Sequence, residues 1–262
     1  MKKLILASAI ASAFAGQAAF AADAAPAATP EHAVAINVGV VSDYRYRGIS
    51  QTVRNPAVNA TVDYTHNPTG LYAGAFASTI RWIDDTTDAN SVSGNAPIEI
   101  DIYAGKRGEI GGGFTYDVGG LYYYYPNNNL AATAATTFYT NANTFEGYGQ
   151  VGYGPAYLKY SYAFTNLFGN ADSVGSYYLD AGANQELVDG YILNLHYGYQ
   201  RVANTPNGSY RDWKVGFTKD YGWAIAAVAY IDTNASSSFY YSPSTSKLTG
   251  VGAAVFSLSK NF

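Results

Sequence analysis

The sequence predicts an all-β fold, a twelve-stranded antiparallel transmembrane β-barrel with short periplasmic turns and longer extracellular loops. Three observations carry this prediction. Apolar and polar side chains alternate with a period of two, as in YILNLHYGY (191–199), where tyrosine and leucine oppose Asn194 and His196. No run after residue 21 reaches the about 20 apolar residues of a membrane helix. Short and long connections alternate along the chain.

The composition favours strands and excludes several functions. Among 262 residues there are 26 Tyr and 27 Gly but one Met, and 13% are charged. The chain has no Cys, which excludes disulfides, thiolate metal sites and thiol nucleophiles. Its formal net charge is −4 and its basic residues form no patch, so nucleic acid is not an expected partner.

The N-terminus has the features of a signal peptide. Two lysines precede an apolar run of small residues that ends in Ala19-Phe20-Ala21, a typical cleavage site. We expect export from the cytoplasm after cleavage, with a signal peptide over 1–21, a flexible periplasmic leader over 22–33 and the barrel over 34–262. A retained N-terminal membrane anchor is the alternative.

The alternation defines each strand, and within a strand the charged residues share one face. A lysine or arginine in the middle of a lipid-facing strand would cost about 2–4 kcal/mol, so this segregation favours a membrane barrel. A soluble sandwich, the alternative, has no reason to sort its connections onto two rims. The predicted strands cover residues 34–43, 54–66, 71–82, 98–106, 113–125, 144–153, 156–165, 175–186, 191–200, 210–219, 222–231 and 250–262.

The surplus of aromatic residues is explained by two belts at the membrane interfaces. The alternative is a ladder of inward tyrosines that conducts sugars or nucleosides, formed by Tyr103, Tyr123 and Tyr157. The predicted belts contain Tyr122, Tyr124, Trp82, Phe164 and Tyr199 near the loop rim, and Trp223, Tyr153, Tyr191 and Phe114 near the turn rim.

The last strand ends on an aromatic residue. Phe256, Leu258 and Phe262 share one face, a pattern that resembles the signal by which the outer-membrane assembly machinery recognises its clients. Lys260 departs from that pattern, but at the rim its stem can lie on lipid while the ammonium reaches water. Expected partners are therefore the lipid of the bacterial outer membrane and the barrel assembly machinery, the latter through Phe262.

The first hairpin, VSDYRYRGISQTVRNPAV (41–58), resembles the entry segment of the TorF-type porins, a family of largely uncharacterised bacterial outer-membrane proteins. This resemblance implies a barrel and a pore, and it provides no catalytic or ligand residues. Later segments are similar to the family's blocks in the same order: LYAGAFAS (71–78), DVGGLYYYYP (117–126), LKYSYAFTNLFG (158–169), SYYLDAGANQEL (176–187) and LHYGYQRV (195–202).

The expected function is a narrow passive channel for small hydrophilic solutes, because twelve strands lie between the about eight that side chains fill and the about sixteen that leave a wide pore. An excess of acids in the lumen would favour cations. Arg45 and Arg47, in a mouth loop, either pair with these acids as struts or face them across a constriction. The predicted lumen residues are Asp63, Glu99, Asp101, Asp117, Glu146, Lys159, Asp180, His196, Asp212 and Lys214.

Two other functions remain open at this stage. The first is a structural or interaction barrel with a blocked lumen. The second is an outer-membrane hydrolase, which needs a nucleophile or water beside an oriented histidine. His32 falls in the predicted leader, His66 beside a short turn, and His196 faces inward near Asp180, so none lies at the loop rim. We predict no enzyme activity, no cofactor and no metal site.

Overall fold

Twelve antiparallel strands form one closed barrel in the computed structural model, which describes residues 30–86, 93–133 and 138–262, and two further short strands pair in a separate hairpin. The predicted signal peptide and most of the leader lie outside these residues. In chain order the strands are β1 (His32–Val41), β2 (Arg45–Tyr46), β3 (Ile49–Ser50), β4 (Ala57–His66), β5 (Leu71–Thr79), β6 (Ile98–Gly111), β7 (Phe114–Tyr124), β8 (Thr144–Tyr153), β9 (Ala156–Ala163), β10 (Tyr177–Glu186), β11 (Tyr191–Arg201), β12 (Tyr210–Asp220), β13 (Ile225–Thr233) and β14 (Ala253–Asn261).

The first and last strands pair with each other, so the sheet has no free edge. Asn37 of β1 is the register partner of Asn261 in β14, and Val41 is the partner of Ser257. Beyond the strand, the Phe262 backbone N–H donates to the Ile36 carbonyl at 2.9 Å. Closure gives every barrel strand a hydrogen-bonded neighbour on both sides, as a sheet surrounded by lipid requires.

The two faces of each strand differ in chemistry, which confirms the predicted period of two. On β4, Val58, Val62 and Tyr64 point outward and are exposed, whereas Asn59 and Asp63 point inward and are half-buried. The same division runs around the barrel, with an exposed apolar outer face and a polar inner face. This arrangement is inverted relative to a soluble protein and is typical of barrels that span a membrane.

The connections fall on two rims, as predicted. The short turns are residues 67–70, 112–113, 154–155, 187–190 and 221–224, and the longer loops are residues 42–56, 80–97, 125–143, 164–176, 202–209 and 234–252. One helical turn, α1 (Leu130–Thr133), and a 3-10 turn (Leu167–Gly169) lie in these loops. Among the described residues, no helix has the length and apolar character to cross a membrane.

Several strand ends differ from the prediction by two to five residues: β4 begins at Ala57 and not at residue 54, β5 ends at Thr79 and not at 82, β6 continues to Gly111 and not only to 106, and β13 and β14 each begin three residues later than predicted. Strand β1 begins at His32, so the last residues assigned to the leader belong to the barrel. It ends at Val41, and not at residue 43, because the chain then turns into the lumen. Trp82 does not join the outer aromatic belt: its ring packs edge-on against the buried Tyr125 at 5.6 Å.

Candidate functional site

The loop 42–56, between β1 and β4, folds into the barrel and not over its mouth. Its centre is the two-stranded hairpin β2–β3, joined by Arg47 and Gly48. Both turn residues have positive φ, 48° and 78°, as in the two-residue turns with φ > 0 at both positions that match the twist of paired strands. A positive φ is unfavourable for arginine, so contacts of the Arg47 side chain must stabilise this conformation.

Asp43 organises the base of this inserted loop. Its carboxylate accepts hydrogen bonds from Arg45 Nε at 2.8 Å, from the Ser50 hydroxyl and from the Thr52 hydroxyl at 3.2 Å. Arg45 also donates through Nη1 to the carbonyl of Val251 at 2.8 Å. The Arg45 guanidinium is therefore used within the loop region and does not reach the acidic wall.

Two tyrosines attach the inserted loop to β6 and β7. The Tyr44 hydroxyl donates to Glu99 Oε1 at 2.6 Å, and Tyr125 donates to Glu99 Oε2 at 2.7 Å. Burial, and then the negative charge of Glu99, raise the pKa of the Tyr44 hydroxyl well above its ordinary value, so Tyr44 stays the donor. The Tyr46 hydroxyl is hydrogen-bonded to the Tyr123 hydroxyl.

Arg47 crosses to the wall formed by β8, β10 and β11. It forms a bidentate pair with Glu146, with Nη1 to Oε1 at 3.0 Å and Nη2 to Oε2 at 2.6 Å. Nη1 also donates to Gln200 Oε1 at 2.7 Å, and the guanidinium lies 4.4 Å from the Tyr178 ring centroid. The side chains of Arg47 and Glu146 are 4% and 1% exposed, so this charge pair is withdrawn from water.

The tip of the hairpin touches the opposite wall. A Cβ on Gly48 would lie 2.5 Å from Thr233 Cγ2 and 2.6 Å from Asp212 Cβ, so only glycine fits against β12 and β13 here. The inserted loop thus contacts β6, β7, β8, β10, β11, β12 and β13, and it occupies the loop-rim half of the lumen.

A second polar cluster lies below the hairpin. His196 Nδ1 is 2.8 Å from Asp180 Oδ1, and His196 Nε2 is 2.7 Å from Asp212 Oδ2. Tyr178 donates to Asp212 Oδ1 at 2.9 Å. Donating from both ring nitrogens requires the doubly protonated imidazole, so His196 bridges β10 and β12 as a cation between two carboxylates.

The remaining predicted lumen residues also face inward. Tyr103 donates to Asp63 at 2.6 Å, and Asp117 accepts from Tyr72. The ammonium of Lys159 lies 4.0 Å from the Tyr148 ring centroid, while Lys214 is the register partner of His196. Asp101 follows Glu99 on the inner face of β6 and is 1% exposed. These are positions only, and the role of each residue in selectivity stays a prediction.

The lumen is filled unevenly along its axis. At the loop-rim half, the inward side chains of Glu99, Tyr123 and Glu146 are almost fully buried by the inserted loop. Toward the turn rim, inward Asn37 and Thr61 are half-buried, and so are Asn59 and Asp63 on β4, whereas Tyr72 of β5 and Asp117 of β7 are buried and hydrogen-bonded to each other. The inner face is therefore least covered along β4 toward the turn rim and most covered beside the β2–β3 hairpin.

The sequence left two alternatives for Arg45 and Arg47: struts paired with the predicted lumen acids, or charges facing those acids across a constriction. In the structure Arg47 pairs with Glu146 as a strut, whereas Arg45 bonds to Asp43 of its own loop and meets none of the predicted lumen acids. Sequence reasoning missed Asp43, Tyr44 and Tyr46 as parts of the site. A signal was present: in DYRYRG (43–48) charged and tyrosine residues alternate and a glycine follows, which is the pattern of a short strand and a turn. Gln200 and Tyr178 could not be found this way, because their role depends on where the loop goes.

The fold and the site define a class, that of membrane-type closed β-barrels whose polar lumen is narrowed by an inserted loop. The chain belongs to the family described as "Bacterial protein of unknown function (Gcw_chp)", which matches residues 24–262. No curated protein matches the chain in sequence.

Similar folds occur among solved structures. The KdgM porin has a TM-score of 0.52 and 8% identity, over 87% of this chain and 98% of that chain. The KdgM porin in complex with disordered oligogalacturonate gives 0.52 and 9%, with the same coverage of 87% and 98%. The P. putida toluene transporter TodX gives 0.43 and 11%, over 90% of this chain and 91% of that chain. The KdgM likeness shows the fold.

Proposed function

We propose that the protein is an outer-membrane porin-type channel that gives small hydrophilic solutes a narrow passive path past the inserted loop 42–56. The observation that carries this proposal is the polar lumen, half-buried toward the turn rim, inside a wall whose outer face is exposed and apolar. The resemblance to the TorF-type porins and the likeness to the KdgM barrel support it. In this proposal a signal peptide directs export.

The proposed orientation of the barrel in the membrane follows from the lengths of the connections at its two rims. Short turns face the periplasm and long loops face outward, as in bacterial barrels. The C-terminal Phe262 then lies at the periplasmic rim, where it is exposed and available to the assembly machinery. Lys260 lies 5.8 Å from the Phe262 ring centroid, consistent with an ammonium that reaches out of the apolar band.

A barrel with a closed lumen is the second candidate, and the inserted loop favours it. Arg47, Glu146 and Tyr123 are packed together with almost no exposed surface, which is a feature of a plug. In that case the protein is a structural or interaction barrel. A hydrolase is disfavoured, because both ring nitrogens of His196 are taken by carboxylates and neither is left for a nucleophile.

We further propose a modest preference for cations. Three of the seven predicted lumen acids have a cationic partner: Glu146 has Arg47, and Asp180 and Asp212 share His196. The other four acids, Asp63, Glu99, Asp101 and Asp117, form no salt bridge within the described residues, and the proposed preference rests on them. A polyanion such as the oligogalacturonate bound by the KdgM porin is therefore not a fitting solute here.

Planar-bilayer recordings across a salt gradient test both proposals. We expect the wild-type protein to give small, cation-selective conductance steps, and the Glu99→Gln/Asp101→Asn variant to lose most of that selectivity. Asp172→Asn is the matched control, since Asp172 is an exposed acid in an outer loop and asparagine tolerates its positive φ. Anion preference, or selectivity unchanged in the double variant, would refute the cation proposal. Absence of any conductance would support the closed barrel.

A further inference from the structure

Three side chains that the channel proposal does not use converge at the turn rim, where the chain enters the barrel. His32 is the first residue of β1 and the register partner of His66, the last residue of β4. Glu31 precedes them. The Glu31 backbone is held in place, because its carbonyl accepts a hydrogen bond from the Asn67 N–H at 2.9 Å. The side chains of Glu31, His32 and His66 are 66%, 61% and 25% exposed.

The spacing of their ligand atoms is that of a metal site. Glu31 Oε1 lies 3.4 Å from His66 Nε2 and 3.7 Å from His32 Nε2, and each of the three residues offers a ligand atom within 4.8 Å of the other two. Both contacts exceed the usual N–H···O length of about 2.9–3.0 Å. Two ligands bound tetrahedrally at about 2.0–2.1 Å are about 3.3–3.4 Å apart, which is close to the distances seen here.

The other ring nitrogens have hydrogen-bond partners that set the tautomers. His32 Nδ1 is 2.8 Å from the Tyr64 hydroxyl, and His66 Nδ1 is 2.7 Å from the Thr69 hydroxyl. When Nδ1–H donates to these oxygens, each Nε2 carries the lone pair and points toward Glu31. Metal-binding histidines commonly use their second nitrogen in this way, which orients the ring and raises its basicity.

We propose that Glu31, His32 and His66 bind a divalent transition metal, with Zn²⁺ as the best fit. Two imidazole nitrogens and one carboxylate oxygen suit zinc and its neighbours and do not suit Ca²⁺ or Mg²⁺, which prefer all-oxygen sites. The fourth position is open to water or to another donor. The metal ties the start of β1 to the end of β4, and so fastens the N-terminal edge of the barrel outside the apolar band.

Cobalt titration tests this proposal. The full-length, tag-free protein in detergent micelles is first treated with a chelator, which removes bound metal, and is then titrated with Co²⁺. We expect one Co²⁺ per chain with the visible absorption bands of tetrahedral cobalt, and their loss on addition of Zn²⁺. His32→Ala and His66→Ala should abolish the bands, and Tyr64→Phe should weaken binding about 10- to 100-fold.

The third histidine supplies the matched control. The chain has three His, and His196→Asn removes the only one inside the lumen while leaving both rim histidines. Its cobalt spectrum should equal that of the wild type, and heat-modifiable migration on gels confirms that each variant is folded. The proposal would be overturned if the wild type showed no tetrahedral bands. It would also be overturned if the bands persisted in folded His32→Ala or His66→Ala protein.

Discussion

Glu146→Gln is expected to lower the free energy of unfolding by about 3–5 kcal/mol, the usual cost of leaving a buried charge without its partner. The wild-type Arg47 guanidinium is held by two charge-assisted bonds to Glu146 in a region that water does not reach. The glutamine keeps the shape of the side chain but removes the negative charge. The inserted loop then loses its strongest attachment to β8.

A double-mutant cycle with Arg47→Met measures this coupling, by urea unfolding from lipid vesicles. We expect Arg47→Met/Glu146→Gln to be more stable than the sum of the single effects predicts, because the double variant leaves no buried charge unpaired. Arg54→Ala, an exposed arginine of the same loop, is the control and should change stability by about 0.5 kcal/mol or less. Additive single effects would show that the pair does not hold the loop.

Replacing residues 42–56 by an Asn-Gly turn is expected to raise the single-channel conductance several-fold. Val41 and Ala57 are direct register partners, so a two-residue turn joins β1 to β4 without a change of register. The replacement removes the hairpin that fills the loop-rim half of the lumen. It also exposes Glu99 and Glu146 to the solution, so the wider channel should be more selective for cations.

The control for this experiment leaves the hairpin in the lumen and alters an outer loop. Tyr240 contacts the loop 202–209 through its hydroxyl, which donates to the Gly208 carbonyl at the outer rim. Tyr240→Phe should therefore leave conductance unchanged. Equal conductance in the wild type and in the loop replacement, with both proteins folded, would mean that the inserted loop does not restrict the path.

Most of the barrel could be predicted from the sequence, because a strand between lipid and water imposes a strict alternation. Strands β8 (Thr144–Tyr153) and β11 (Tyr191–Arg201) match their predicted ranges to within one residue. The pairing of β1 with β14 follows from the even number of strands and the need to close the edge. Strands β1 and β5 end two and three residues earlier than predicted. The residues that follow them still alternate in polarity, although their backbone has left the sheet.

The inner site could be predicted only in part. Alternation shows which residues face inward, but it does not show which of them meet across the lumen. The bond from Arg47 to Glu146 joins residues that are far apart in sequence and depends on where the loop 42–56 lies. Nothing in the sequence assigns Arg45 and Arg47 different roles, because both lie in the same loop two residues apart. Asp43 distinguishes them, because its carboxylate accepts a hydrogen bond from Arg45, two residues along the chain.

The cluster at the turn rim was missed for the same reason. His32 was assigned to a flexible leader, because the alternation becomes clear only from Val34 onward. Its proximity to His66 follows from the register of β1 against β4, which no local pattern reveals. Spacing in sequence therefore gave no indication of a metal site.

Site-directed spin labelling in lipid vesicles tests the central claim, that this barrel has lipid outside and water inside. The chain contains no Cys, so single cysteines can be labelled without further changes. On β4, labels at Val58, Ala60 and Val62 should be accessible to oxygen dissolved in the bilayer, and labels at Asn59 and Thr61 should not. An accessibility that fails to alternate, or that is higher at Asn59 and Thr61, would contradict the membrane barrel and the proposed channel with it.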